Sequence, residues 1–364
     1  FGLSTARAAA TIAVVLVGYE AGVVNSDVVN ATVALILVTS LVGSLVTERA
    51  GVKLAAMEKR YEPEREIEED RILIPVANPA TMEYLLDFAV AIRRPGSPCP
   101  VMALSVIKDN DTARDEARQQ RKMLQDAIHH MTAMDVPAEA ITRIDMSVAN
   151  GIVRAMNERA ANELVMGWSD KVSTVDFFFG STLQKVLKRC YQMVYVLRQI
   201  QPLNTNEDIF VIMTPRARYE PGFATWVDKI VSMSKHLTSR MHFLGDEEGI
   251  GAVHHRLQEV HDNAQAHYQP CNADQALEAV HRSADPNDLI VLISARSGTL
   301  SFSDDFSALP NRLVNEFSGN NLLTIFPQQQ QDDSRMSEGY PVTSPPHFKA
   351  VRKLNRAIGR WTKH

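Results

Sequence analysis

A short glycine-containing pattern holds the residue types in this sequence that could bind a phosphate. The segment Gly167 to Asp170 follows a short apolar stretch, and after nine intervening residues Gly180 to Thr182 opens a predicted helix. Glycine lets backbone approach a phosphate, and the N–H groups at a helix N-terminus bind its oxygens together with a Ser or Thr hydroxyl. The pattern predicts a phosphate site whose residues are Gly167, Asp170, Gly180, Ser181 and Thr182.

This pattern resembles the ATP-binding motif of the universal stress proteins, in which Gly-x-x-Gly is followed after nine residues by Gly-Ser. Val186, five residues past Ser181, also fits that motif. The resemblance covers residues 71–200 and implies ATP or another adenine nucleotide as ligand. It also implies that Val76 and Ala77, at the end of the first strand, lie beside the nucleoside.

The chain departs from the family motif at two places. Asp170 stands where the second glycine is expected, and Asn78 follows Val76-Ala77 where ATP-binding members have an aspartate. A carboxylate beside phosphates costs free energy unless a cation intervenes. Two alternatives therefore stay open, namely a nucleotide site or a domain that kept the fold and lost its ligand.

Alternating strands and helices must position the motif. The predicted strands of the first half are residues 72–76, 101–107, 141–146, 164–166 and 193–197. The predicted helices are residues 81–92, 111–134, 148–161 and 181–188. Strands separated by single helices imply a doubly wound parallel α/β sheet, with a ligand at the carboxyl ends of the strands. The resemblance implies the strand order 3-2-1-4-5.

A second, degenerate copy of the same pattern is predicted over residues 205–327. Its strands are placed at residues 209–213, 241–244 and 289–293, and its helices at 222–237, 252–265 and 273–283. Aligning strand ends places Ala295, Gly298, Ala308 and Leu309 at the four motif positions, with Val314 at the following valine. Leu309 has no hydroxyl, so this half should not bind phosphate in the same manner.

The first 54 residues contain two apolar runs, Ala8 to Gly18 and Val28 to Val46. The second run has no charged residue, and about 20 such residues cross a hydrocarbon core of roughly 30 Å. The runs predict a two-helix transmembrane hairpin. Its loop carries Glu20 and Asp27, whereas basic residues follow the second run, so everything after Glu48 is expected to be cytoplasmic.

The same residues resemble the last two helices of monovalent cation:proton antiporters of the sodium/proton exchanger type. Val46-Thr47-Glu48-Arg49, which closes the second run, is a marker of this resemblance. It implies a multi-pass protein of the inner (cell) membrane that exchanges a monovalent cation for a proton through helices upstream of Phe1. The family's ion-binding carboxylates lie on those earlier helices, so no ion-transport residue is assigned in this chain. Both resemblances suggest a homodimer.

Two polar segments flank the predicted soluble halves. Residues 55–70 are mixed in charge and are predicted to be a linker, and residues 328–364 are predicted to be a flexible tail. The tail ends in a basic amphipathic pattern in which Val351, Leu354, Ile358 and Trp361 share one face. Such a helix is typical of a membrane-surface or partner-binding segment, and a frayed end is the alternative.

The remaining residues give no sign of catalysis or of a metal centre. Cys99, Cys190 and Cys271 are far apart, and the histidines lack the spacing of a zinc site. No nucleophile–base pair or paired catalytic carboxylates appear, so an enzyme is not expected. The net charge of -5 argues against a nucleic-acid partner.

Two functions from different classes follow from these patterns. The first is the carboxy-terminal part of a cation:proton antiporter whose tandem stress-protein domains regulate transport. The second is a membrane-tethered tandem stress protein that binds or senses adenine nucleotide and transports nothing. The hairpin, which needs partner helices to pack against, favours the first.

Overall fold

The computed structural model describes residues 8–39, 43, 70–168, 180–261, 264–302, 306 and 309–330. The chain folds into two compact units. One contains Phe1–Arg65 together with Thr343–His364, and the other is Glu66–Val342. Residues 331–364 of the predicted tail and residues 55–69 of the predicted linker lie outside the described residues.

The first unit begins with two apolar helices joined by a tight turn. Helix α1 is Ala8–Glu20, helix α2 covers residues 26–39, and the side chain of Asn25 caps α2 by accepting from the Val28 N–H at 3.2 Å. Gly22 turns the chain with a φ of +68°, a conformation that glycine adopts at little cost.

The predicted transmembrane hairpin is not found in the described residues. Helix α1 has 13 residues, which span about 20 Å against the roughly 30 Å of a hydrocarbon core. None of the helices in the described ranges combines the length and the apolar character that crossing a membrane requires. Residues 40–42 and 44–46, the end of the predicted second span, lie outside those ranges.

The second unit is built on one ten-stranded sheet with the order β3-β2-β1-β4-β5-β10-β9-β6-β7-β8. The strands are β1 Ile72–Pro75, β2 Val101–Lys108, β3 Ala138–Asp145, β4 Glu163–Gly167, β5 Met193–Arg198, β6 Asp208–Met213, β7 Arg240–Gly245, β8 Ala266–Pro270, β9 Leu289–Ile293 and β10 Asn321–Phe326. Within each half all pairings are parallel and follow 3-2-1-4-5, which confirms the predicted order.

The two halves join edge to edge through β5 and β10, which pair antiparallel. Equivalent hydrogen bonds mark equivalent strand positions, since the N–H of Trp168 donates to Leu197 O and the N–H of Ser294 donates to Ile325 O, both at 2.8 Å. Leu197 therefore corresponds to Ile325, and by one step Val196 corresponds to Thr324. Because Val196 and Thr324 also pair with each other, a pseudo-twofold axis passes between them.

Helices cover both faces of this sheet. They are α3 Pro79–Ile92, α4 Ala113–Ala133, α5 Val148–Glu158, α6 Gly180–Leu187, α7 Phe223–Leu237, α8 Glu247–Val260, α9 Ala273–Ser283 and α10 Leu309–Glu316. On one face α3, α4, α7 and α8 enclose a single core that runs through both halves. On the other face two separate cores lie under α5 with α6 and under α9 with α10.

The shared core contains a buried cluster of charges between the halves. Lys229 on α7 places its ammonium 2.8 Å from Asp70 Oδ1 and 2.6 Å from Glu163 Oε1, and all three side chains are buried. Burial raises the pKa of Glu163, while the Lys229 ammonium acts to lower it. Burial and the neighbouring Glu163 carboxylate raise the pKa of Tyr195 well above its usual value. The cluster ties α7 of the second half to Asp70, just before β1, and to Glu163, the first residue of β4.

The second half contains α10 and β10, which the prediction left unassigned, and it differs from the prediction at two further elements. The helix predicted at 252–265 lies five residues earlier, with Asp246 as its N-cap residue and Glu247 and Glu248 in its first turn. Carboxylates are stabilising at that positive end of a helix. The chain that follows forms β8, which the prediction lacked because Ala-His-Tyr-Gln-Pro is mostly polar.

Replacing the buried ammonium should test what holds the halves together. Lys229→Met leaves the buried Glu163 without a cation and Asp70 with only Arg94, whose Nε lies 3.7 Å from Asp70 Oδ1. We expect a loss of about 3–5 kcal/mol in the free energy of unfolding. Urea unfolding followed by circular dichroism measures it. Lys235→Met, an exposed position on the same helix, is the matched control and should change stability by about 0.5 kcal/mol or less. Equal stabilities of the two variants would contradict the cluster's role.

Candidate functional site

The carboxyl ends of β1 and β4 form the crevice where the sequence predicts a ligand. These strands are neighbours, and Leu73 pairs with Leu164, which sets Val76 level with Gly167. Val76 is buried and its N–H donates to Leu104 O at 2.8 Å, whereas Ala77 is exposed. A switch point between adjacent strands is the usual ligand position in such sheets.

Asn78 begins helix α3 directly after this strand end. Its side-chain oxygen accepts from the Ala80 N–H at 3.0 Å, so the amide serves as a helix cap. Pro79, at the first helical position, has no N–H to offer. The α3 N-terminus thus has few free donors for a ligand.

Gly167 ends β4 beside the predicted site. A Cβ added there would meet Leu85 Cδ1 at 3.5 Å, an ordinary contact, so packing does not require glycine at this position. The next residue, Trp168, packs against the core under α5 and α6. Space beside Gly167 is consistent with the close backbone approach that a phosphate site needs.

Helix α6 starts at Gly180 and presents its first turn at the same edge of the sheet. Ser181 is exposed and Thr182 is half-buried, while Leu183 and Val186 point into the core. The structure therefore brings Val76, Ala77 and Gly167 to one strand edge, with Ser181 and Thr182 on the helix that follows. Asp170, with the rest of residues 169–179, lies outside the described residues.

The second half aligns with the first differently from the sequence prediction. The hydrogen bonds that make Trp168 and Ser294 equivalent also make Ile293, and not Ala295, the equivalent of Gly167. A second pair of hydrogen bonds gives the same alignment. The Asn162 side chain accepts from the Arg71 N–H at 3.0 Å, and the Asp288 side chain accepts from the Asp208 N–H at 2.9 Å. The loop after β9 is therefore longer than its counterpart. Leu309, which the sequence alignment placed at the Ser181 position, opens α10 and is buried.

A buried carboxylate of the chain itself, that of Glu220, is hydrogen-bonded to Ser301 in this second loop. Glu220 is buried, and its Oε1 accepts from the N–H of Ser301 at 3.0 Å and from the Ser301 hydroxyl. Its other oxygen accepts from Gln329 Nε2 at 2.7 Å. The role of Glu220 was not predicted from the sequence, since nothing local marks a glutamate that pairs 81 residues away.

Two arginines donate hydrogen bonds between the halves near these crevices. Arg296, buried, donates to the carbonyl oxygens of Cys190 and Gln192, and burial lowers its pKa. At the opposite end of the β5–β10 pair, Arg198 donates to Ser318 O at 3.0 Å. Both crevices are thus bounded by contacts between halves.

Five histidines of the described residues each pair with one carboxylate, and they are His130, His242, His255, His261 and His281. His130 lies 2.7 Å from Asp87, and His261 lies 3.1 Å from Asp228. In the ranges that the structure describes, no group of three or more His, Cys, Asp or Glu side chains is placed to hold a metal ion.

Asp208, at the start of β6, forms a dense set of hydrogen bonds in the second half and was also missed from the sequence. Arg240 donates to both of its oxygens, at 2.8 and 2.6 Å, and His242 Nε2 lies 2.8 Å from Oδ1. Partial burial acts to raise the pKa of Asp208, but the hydrogen bonds from Arg240 and His242 outweigh it and lower that pKa.

Comparison with known proteins gives the class of the first half. Residues 69–198 match the universal stress protein family. The chain therefore contains a universal stress protein domain.

A curated relative is similar over a longer part of the chain. This relative is the Na(+)/H(+) antiporter NhaS5 of Synechocystis sp., 28% identical over 246 residues that cover 59% of this chain and 35% of the relative. The chain thus matches about a third of that protein's length.

Two solved structures are also similar. The cytoplasmic domain of a prokaryotic cation chloride cotransporter is 12% identical with a TM-score of 0.48, covering 74% of this chain and 100% of that one. A universal stress protein from Archaeoglobus fulgidus is 15% identical with a TM-score of 0.47, covering 71% and 98%.

The Asp208 pairing makes a prediction about pH. A carboxyl whose folded pKa is lowered contributes stability above its unfolded pKa of about 3.9 and loses it as the pH falls through the folded value. Asp208→Asn should cost about 1–2 kcal/mol at pH 7, and the gap from wild type should shrink at pH 3. Urea midpoints at both pH values measure this gap.

Asp274→Asn supplies the control, because Asp274 is an exposed carboxylate paired with Arg312. It should alter stability little at either pH. A gap for Asp208→Asn that stays constant between pH 7 and pH 3 would argue against the lowered pKa.

Proposed function

We propose that this chain is the carboxy-terminal part of a sodium/proton antiporter, in which the two stress-protein halves regulate transport. The observation that carries the proposal is the similarity to the NhaS5 antiporter, which extends over 59% of the chain and so over more than the stress-protein domain at residues 69–198. In this proposal the transported monovalent cation and proton cross through a membrane domain that the chain adjoins.

The amino-terminal helices support this placement. Their described residues expose large apolar side chains, which are Val14, Val17, Leu35, Leu37 and Val38 among others. A soluble surface rarely exposes such a set together. Under the proposal, lipid or other membrane helices cover these side chains, and the halves lie on the cytoplasmic side of the inner membrane.

The architecture of the halves suits a regulator that moves as one piece. The shared sheet, the continuous core and the Lys229 cluster join the halves through backbone hydrogen bonds and buried charge. A displacement at one end of such a unit reaches the other end, because packed cores do not deform continuously.

A second candidate function is adenine-nucleotide binding by the first half. The contrast between the halves favours it. In the second loop the Glu220 carboxylate is hydrogen-bonded to Ser301, whereas in the first turn of α6 Ser181 is exposed and Thr182 is half-buried. This function also fits the alternative of a membrane-tethered stress protein without transport. Catalysis forms no part of either proposal.

Transport is tested with the whole gene product that carries this chain. Everted membrane vesicles loaded with a pH-sensitive dye should show Na⁺-dependent proton movement. Removing residues 70–330 should change its rate about fivefold or more if the halves regulate it. Vesicles without Na⁺-dependent proton movement would retire the transporter, and a rate unaffected by the deletion would retire the regulatory role.

Nucleotide binding is tested by calorimetric titration of MgATP into the purified chain. Ser181→Asp places a negative charge at the α6 N-terminus and should weaken binding about tenfold. Gln184→Glu adds the same charge one turn along that helix and should weaken binding less. Absence of heat at millimolar MgATP, or equal effects of the two variants, would remove the first half's crevice as the site.

A further inference from the structure

The ten-stranded sheet has two outer edges, at β3 and β8, and they differ in their capacity to pair. Strand β8 has five residues and ends in Pro270, which has no N–H to donate. Strand β3 has eight residues, all of them in register with β2. In the described part of the chain no strand pairs with the outer side of β3. A long, regular edge is a template for adding another strand.

The hydrogen bonds to β2 show which backbone groups of β3 face outward. The Val101 N–H donates to Pro137 O, and the Asp109 N–H donates to Asp145 O, so odd-numbered residues of β3 point their backbone groups toward β2. In a regular strand the direction alternates with each residue. The even-numbered residues therefore direct N–H and C=O to the open side, and they are Ala138, Ala140, Thr142 and Ile144.

This parity limits how a second β3 could pair antiparallel. A residue whose backbone groups face the open side must lie opposite another such residue on the second strand. Three registers satisfy this condition and pair most of the strand, and they are centred on residues 140, 141 and 142. Centring on Thr142 sets Glu139 opposite Asp145, which is repulsive. Centring on Ala140 sets Glu139 opposite Ile141. Centring on Ile141 sets Glu139 opposite Arg143 twice, once on each side of the twofold axis, and such opposed pairs are stabilising.

We propose that β3 of one chain pairs antiparallel with β3 of a second copy, with Ile141 on the twofold axis. About that residue, the outward backbone N–H and C=O groups of one strand face those of the other. Glu139 of each strand also lies opposite Arg143 of the other. The inference is independent of the proposed transport function and of nucleotide binding.

Neighbouring side chains extend the same complementarity. Within one chain Arg143 donates to both oxygens of Glu158 at 2.6 Å, and Arg159 lies 2.9 Å from Glu139. Pairing would place these charges in alternating order across the interface. On the other face of the strand, Ile144, which is 46% exposed, would lie opposite Ala138 of the second copy.

A charge exchange tests the register, using the full chain in detergent. Glu139→Arg places like guanidinium groups opposite each other at both symmetry-related positions, and Arg143→Glu does the same with carboxylates. Each variant alone should dimerise about tenfold more weakly than wild type. A mixture of the two variants restores opposite charges at both positions and should form a heterodimer of near wild-type affinity. Sedimentation velocity and co-purification through two different tags measure this.

The control is Arg282→Glu, a charge reversal at an exposed position on α9 of the second half, which should leave dimerisation unchanged. A wild-type chain that stays monomeric at all accessible concentrations would overturn the proposal. So would a mixture that associates no better than the separate variants.

A disulfide gives a second, site-specific measurement. Cys99 and Cys190 are buried and Cys271 is half-buried. Cross-linking of the wild-type chain therefore measures the background from these native cysteines. Ile141→Cys should cross-link two chains under mild oxidation, because residues facing each other in a non-hydrogen-bonded pair lie about 4.5 Å apart between Cα atoms. Should that variant fail to fold, Ala140→Cys chains mixed with Thr142→Cys chains serve instead. Cross-linking no greater than in the wild type would overturn the inference.

Discussion

One ammonium group, that of Lys229, links the two halves of the second unit through buried ion pairs. Taking an ion out of water costs several kcal/mol, and the cost is offset only when partners are placed with good geometry. Asp70 lies just before β1 and Glu163 begins β4, so the two carboxylates belong to the first half while their cation belongs to the second. A docking that buried Glu163 without the Lys229 ammonium would leave a buried carboxylate unpaired, so the cluster favours the observed arrangement.

Symmetry in the scaffold coexists with asymmetry in the loops. The pseudo-twofold axis at Val196 and Thr324 relates two halves of equal strand order, yet the loops after β4 and β9 differ in length and content. In the second loop Glu220 accepts from the backbone N–H and the hydroxyl of Ser301. Because strand pairing is carried by the backbone, the sheet tolerates such divergence at its carboxyl ends.

Patterns of neighbouring residues in the sequence predicted most strands of the sheet. They did not predict the buried charged residues around the candidate site. Apolar strands such as Leu289–Ile293 stand out, and their order followed from the family resemblance. The edge strand β8 did not, because an edge is stabilised by pairing on one side only and can remain polar. The positions of Lys229 and Glu220 depend on partners far along the chain, which no local pattern encodes. The apolar runs predicted a membrane hairpin, and among the described residues no helix is both long and apolar enough to span a membrane.

Covalent linkage of the halves makes the β5–β10 contact a unimolecular event. Strand β5 ends at Arg198 and β6 begins at Asp208, so a short connection supplies the partner at a high effective concentration. Pairing of separate stress-protein domains would weaken on dilution, whereas this pairing does not depend on how much protein the cell makes. The second half can therefore lose a binding site of its own and still be present, in a one-to-one ratio, wherever the first half is.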